Sequence, residues 1–139
     1  MNRGRKDMEQ KHFGYRVLVV DDEPSVCDAC HEALAIEGYM VDTALSGEKA
    51  LEVLGTSRYD IILLDLKMPG MSGMEALEKL KEVAPKADVV MMTGYATVES
   101  AVEAMKLGAI DYIKKPFTNR ELAGKLLQVL ERKGPPGNR

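Results

Sequence analysis

Five short apolar runs alternate along this chain with five segments of helical period, and no other feature restricts the fold as much. The first run, Arg16 to Val20, is nearly all aliphatic, as a strand must be when helices cover both faces of its sheet. Pro24 opens a helix whose apolar stripe reads Val26, Cys30, Ala33 and Leu34, and Gly38 ends it. Tyr39 to Ala44 reads as a second strand, less apolar than the first and therefore expected at an edge. Ser46 or Gly47 starts a second helix with Ala50, Leu51 and Leu54 facing inward. Asp60 to Asp65, with Ile-Ile-Leu-Leu at its centre, is the strongest strand signal in the chain.

The alternation continues through the second half. Ser72, with Glu75 three residues later, forms a capping box for the third helix. Asp88 to Met92 supplies the fourth strand, and Ala109 to Ile113 the fifth. Between them Val98, Ala101, Val102 and Met105 fall at helical spacing and are expected to fill the core beneath a fourth helix. Thr118 and Glu121 form another capping box ahead of a last helix with Leu122, Leu126, Val129 and Leu130 on its inner face. Right-handed crossovers then predict an α/β fold: a flavodoxin-like, doubly wound, five-stranded parallel sheet in the order 2-1-3-4-5 with five helices.

A length of 139 residues suits one such domain, expected over 15–132, with a disordered arm over 1–14 and a flexible tail over 133–139. The formal net charge of −3 is mild and its charges are interspersed, so direct nucleic-acid binding by this chain is not expected. No apolar stretch of the length of a secretory signal or membrane span is evident, and a cytoplasmic location away from membranes is the expectation.

In a doubly wound sheet, ligands sit beyond the carboxyl ends of the strands. Asp21 and Asp22 follow the first strand, Asp65 terminates the third, Thr93 terminates the fourth, and Lys115 comes just after the fifth. One carboxylate at such an edge is accounted for as a helix cap. Three are not. At about 5 Å and an effective dielectric near 20, each pair would repel by roughly 3 kcal/mol, a cost that core packing gives no reason to accept. A hard divalent cation removes the repulsion, and Mg²⁺ suits one or two carboxylates together with waters and a phosphate oxygen. Lys115 offers a point charge to one phosphoryl oxygen, Thr93 a hydroxyl to another, and Gly94 leaves the backbone open to close approach. Asp65 ends the most buried strand, between the metal side and the lysine side, and is the candidate nucleophile for in-line phosphoryl transfer.

These residues resemble the receiver domains of bacterial response regulators. The resemblance rests on the acidic pair in VLVVDDEP, the acceptor in DIILLDLKMPGMSG, the hydroxyl in MMTGYA and the aromatic and lysine in DYIKKPF, and it covers roughly residues 15 to 132. MMTGYATVESAVEAMKLGAIDYIKKPF is similar to receivers of the nitrogen-regulation type, which usually precede an ATPase and a DNA-binding domain. The resemblance implies a phosphorylation-dependent signalling switch rather than an enzyme: Asp65 accepts a phosphoryl group from a sensor histidine kinase or phosphotransfer protein, and the domain promotes its own phosphorylation and dephosphorylation. It implies that Asp22 and Asp65 ligate Mg²⁺ directly, that the Lys67 backbone carbonyl adds a third protein ligand, and that Asp21 acts mainly through water. It also implies a phosphoryl contact from Lys115 and a cis Lys115–Pro116 peptide. Thr93 and Tyr112 would couple the site to a surface made by the fourth helix, fifth strand and fifth helix, with a phosphorylation-dependent homodimer among the expected partners. At Asp21, Asp22, Asp65, Thr93 and Lys115 the chain shows no departure from the family.

Other readings of the same residues are weaker. Cys27-Asp28-Ala29-Cys30-His31 spells C-x-x-C-H, the attachment signature for c-type haem, but Cys30 falls on an apolar stripe, where a thiol behaves as a small hydrophobe. His12 and His31 have no ligand partners at metal spacing. Lys67 and Tyr95, each two residues beyond a key position, are placed to shield an acyl phosphate from water. A flavin-binding protein would share the fold, yet Asp-Asp-Glu in the first loop would repel a flavin phosphate. An aspartyl phosphatase would carry D-x-D at the end of its nucleophile strand, whereas Asp65 is followed by Leu66 and Lys67. A receiver-like module that only docks partners has no need of an intact acidic pair, acceptor, hydroxyl and lysine.

Overall fold

A computed structural model of the chain describes residues 14–94 and 97–133. In chain order the elements are β1 (Arg16–Val20), α1 (Pro24–Ile36), β2 (Met40–Ala44), α2 (Gly47–Leu54), β3 (Ile61–Asp65), α3 (Gly73–Val83), β4 (Asp88–Thr93), α4 (Val98–Lys106), β5 (Asp111–Lys114) and α5 (Asn119–Lys133). All strand pairs are parallel and the sheet order is β2-β1-β3-β4-β5, the doubly wound topology expected from the alternation. β2, the least apolar strand, lies at an edge. The arm expected before residue 15 and the tail expected after 132 fall outside the described residues except for Gly14 and Lys133, the latter ending α5.

Why the central strands are continuous runs of aliphatic residues follows from the two layers that cover them. Val17, Val19, Ile61, Leu63, Val90 and Met92 face a core closed by α1 and α5. Their alternate neighbours Leu18, Val20, Ile62, Leu64, Val89 and Met91 face a second core closed by α2, α3 and α4. Both cysteines of the C-x-x-C-H run are buried in the first of these cores. Burial, first of all, pushes each thiol up to about 11, so both stay protonated near neutrality and neither has the thiolate that redox chemistry needs.

Local capping fixes where the helices begin. Ser46 accepts the Lys49 N–H and Ser72 the Glu75 N–H, while Thr118 and Glu121 bond reciprocally at 3.0 Å in both directions. Thr97 and Ser100 make a further capping box at the start of α4. Two expectations need correction. β5 begins at Asp111 rather than Ala109, because the chain leaving α4 first closes a turn through Gly108 (φ +108°), with Ala109 N–H donating to the Ala104 carbonyl. The stripe of α4 does not fill the core: Ala104 is its buried residue, while Val98 is 82% exposed, Val102 46% and Met105 39%. The small side chain of Ala104 packs into the core beside the sheet, Ala101 is half-buried, and the larger apolar side chains are turned to solvent.

Candidate functional site

The crossover between β1 and β3 brings the acidic residues together. Val20 pairs with Leu64 in register, so Asp21 and Asp22, just beyond β1, stand beside Asp65 at the end of β3. One carboxylate oxygen from each of the three lies within 4.8 Å of the others, and among the described residues this is the cluster with the donor set for a metal ion. Hard oxygen donors at that spacing fit Mg²⁺ and do not fit a soft metal. Asp21 is fully buried, Asp65 is 5% exposed, and Asp22 is half-buried.

Lys115, carried just past β5, reaches back into this cluster. Its Nζ donates to Asp21 Oδ2 at 2.6 Å and lies 3.4 Å from Asp65 Oδ1. The other oxygen of Asp21 accepts the Glu23 N–H at 2.9 Å, so Asp21 engages both oxygens with protein donors. Among the three carboxylates, Asp21 is therefore the one tied on both sides by the protein itself. Burial, then the charge of Asp21, pushes the Asp65 carboxyl up to about 6, against the pull of Lys115 and of the Lys67 N–H. Burial alone would lower the Lys115 ammonium, but its hydrogen bond and charge interaction with Asp21, followed by those with Asp65, raise it overall. Lys115 is therefore a fixed positive charge.

Thr93 ends β4 almost wholly buried, and its carbonyl accepts the Lys115 N–H at 2.7 Å. The Lys115–Pro116 peptide is cis, as the resemblance implied. Tyr112 pairs with Met91, two positions before Thr93, which puts both side chains on the α4 face of the sheet. A small pocket between them is lined by Leu66, Met74, Met91, Thr93, Ala104 and Tyr112, and Tyr112 is 37% exposed. Lys67, two residues after Asp65, is exposed, and Tyr95 lies outside the described residues. Sequence reading thus found the charged and hydroxyl groups. It gave no role to Gly73, whose N–H donates to the Leu66 carbonyl directly behind Asp65; the chain pattern there shows a helix start and nothing of the close backbone contact.

Comparison with known proteins agrees with this geometry. The family model for the response regulator receiver domain matches residues 17–127. The regulatory protein AtoC of Escherichia coli (strain K12) is 40% identical over 107 residues, which make up 77% of this chain and 23% of AtoC. The solved structure of a CheY-like response regulator receiver domain protein from Methanospirillum hungatei JF-1 matches with a TM-score of 0.81 at 35% identity, covering 86% of this chain and 98% of that one. The receiver domain of NtrX from Brucella abortus matches with a TM-score of 0.78 at 33% identity, covering 83% and 98%. AtoC and NtrX bear out the likeness to nitrogen-regulation-type receivers. The chain spans half or less of the length of the curated relatives it matches. No helix among the described residues is long and apolar enough to cross a membrane. Because the family match runs from the first strand into the last helix and takes in the whole acidic cluster, this chain belongs to the response regulator receiver domain family, whose general function is a phosphorylation-dependent switch.

Proposed function

We propose that this chain takes a phosphoryl group from the phosphohistidine of a sensor kinase or phosphotransfer protein onto Asp65, with Mg²⁺ held by Asp22, Asp65 and the Lys67 carbonyl. The observation that carries the reading is the convergence of Asp21, Asp22 and Asp65 within 4.8 Å beside the Lys115 ammonium. An Asp65 oxygen attacks phosphorus as the P–N bond breaks, and the donor imidazole, protonated on its other nitrogen, leaves neutral with the electron pair of that bond. Mg²⁺, when bound, supplies positive charge to the phosphoryl oxygens. Lys115 counters a second oxygen, and the Thr93 hydroxyl donates to another. Asp21 holds the lysine in place through the 2.6 Å contact. The exposed Lys67 side chain, two residues beyond Asp65, hinders attack by water on the acyl phosphate.

Drawing Thr93 towards a phosphoryl oxygen frees room in the pocket it shares with Tyr112, and the ring moves inward from its half-exposed position. The surface affected is the outward face of α4 with β5 and α5, where Val98, Val102 and Met105 are exposed. A phosphorylation-dependent homodimer or downstream partner uses that face. The protein is a cytoplasmic phosphoacceptor that promotes its own phosphorylation and dephosphorylation, and its receiver unit spans 15–132.

Incubation with acetyl phosphate or phosphoramidate and Mg²⁺ should add one phosphoryl group, about 80 Da, at Asp65. Chelation of the metal should suppress it and Asp65→Asn should abolish it. In parallel, Mg²⁺ should raise the melting temperature of wild type and leave Asp22→Asn unmoved. Equal labelling of Asp65→Asn would remove the acceptor assignment.

A further inference from the structure

Gly73 opens α3 with a backbone conformation that any residue can adopt. The glycines with positive φ among the described residues are Gly14, Gly38, Gly70 and Gly108, and Gly73 is not one of them. Conformational freedom therefore gives no reason for glycine at this position, and glycine weakens a helix relative to alanine. The reason is space. A Cβ at Gly73 would lie 2.4 Å from the Leu66 carbonyl oxygen, 2.5 Å from the Leu66 Cα and 2.6 Å from the Asp65 carbonyl oxygen. All three are backbone atoms, so no change of rotamer moves them aside.

The close approach is also bonded. Gly73 N–H donates to the Leu66 carbonyl at 2.9 Å, while Leu66 N–H donates to the Met92 carbonyl at 2.9 Å. Leu66 is thus gripped between α3 and β4. Asp65 immediately precedes the gripped residue, and Lys67, whose N–H reaches Asp65 Oδ1 at 3.4 Å, immediately follows it. The farther part of the same loop is braced more softly, since a Cβ at Gly47 would meet the flexible Met71 Sδ at 3.0 Å.

We propose that Gly73 is a positioning residue for phosphoryl acceptance: its bare Cα lets α3 close on the Asp65–Leu66 backbone, which fixes the acceptor carboxylate and the Lys67 carbonyl relative to Asp22 and Lys115. This rests on the reading of Asp65 as the acceptor. A methyl group at 73 drives the Asp65–Leu66 peptide away from α3 and strains one of the two hydrogen bonds that hold it. The chemistry is affected because Asp65 moves while Lys115, just past the end of β5, does not.

The test compares wild type, Gly73→Ala and Leu126→Ala, the last being a buried α5 residue in the opposite core. Labelling rates with phosphoramidate and Mg²⁺ are read by intact mass, Mg²⁺ affinity from the metal dependence of melting, and stability from denaturant unfolding. Misplacing a reacting group by about 1 Å costs on the order of a hundredfold. Gly73→Ala should accordingly label about tenfold to a hundredfold more slowly and bind Mg²⁺ more weakly, while Leu126→Ala loses stability and keeps both constants. Labelling of Gly73→Ala at the wild-type rate overturns the proposal, as does an equal loss of rate in Leu126→Ala. Should Gly73→Ala fail to fold, amide exchange in wild type decides: the Gly73 N–H should be protected as strongly as the β4 amides, and unprotected exchange there overturns the clamp. A wild type that takes no phosphoryl group at Asp65 sinks the acceptor reading itself, an outcome distinct from a labelled wild type with an equally labelled Gly73→Ala.

Discussion

Asp65 carries its charge at a cost to the fold. Its carboxyl, pushed from the ordinary 3.8 up to about 6 by burial and then by the Asp21 charge, holds a proton between about pH 4 and 6 that the unfolded chain has lost. The native state binds more protons in that window, so this group's contribution to stability falls as pH rises through it, by at most about 3 kcal/mol. In chelator, Asp65→Asn should therefore be more stable than wild type at pH 7, with the two converging near pH 4. Urea unfolding at a series of pH values measures this, and a gap that does not change with pH would contradict it. Mg²⁺ should narrow the gap, since it relieves the ionised carboxylate and not the amide. At this scale the acidic residues, Thr93 and Lys115 were legible because strand ends, once the alternation is read, have fixed neighbours. The division of roles among the carboxylates was less so: the 2.6 Å bond that ties Lys115 to Asp21 joins residues 94 positions apart.

Among the elements, α4 shows what periodicity leaves open. Val98, Val102 and Met105 do form an apolar stripe, but spacing reports that a helix has two faces and not which of them the sheet covers. Ala104, with a smaller side chain, takes the buried position because it permits close approach. The Thr118–Glu121 capping box was easier to read, since donor and acceptor lie within four residues of each other, whereas of the box expected at Ser72 the Glu75 N–H bond forms and the Glu75 carboxylate pairs with Lys79 instead. α5 bears out its stripe of Leu122, Leu126, Val129 and Leu130, all buried, and holds Gly124 within its length, where an added Cβ would meet no described atom within 4 Å beyond its chain neighbours and the helix's own backbone. Gly124→Ala should therefore stabilise the protein by about 0.5–1 kcal/mol, in contrast to Gly73→Ala. Thermal or urea unfolding checks the sign, and a loss of stability would show that this face of α5 is packed more closely than its surroundings indicate.

For the whole molecule, the sheet order could be anticipated because strands covered on both faces are written as unbroken aliphatic runs, and right-handed crossovers leave few ways to connect them. The same topology places Asp65 at the end of β3 and leads through the pocket that Thr93 and Tyr112 share to α4 and β5, the acceptor and the responsive face of the proposed switch. A switch requires two arrangements of that region whose balance the phosphoryl group shifts through a differential interaction of a few kcal/mol. Amide exchange over α4 and β5, with and without phosphodonor and Mg²⁺, tests this most directly. Phosphorylation should change exchange in both elements of wild type, leave Asp65→Asn unchanged, and have a reduced effect in Thr93→Ala and Tyr112→Ala. A wild type fully labelled at Asp65 whose α4 and β5 exchange as they did before would contradict the account.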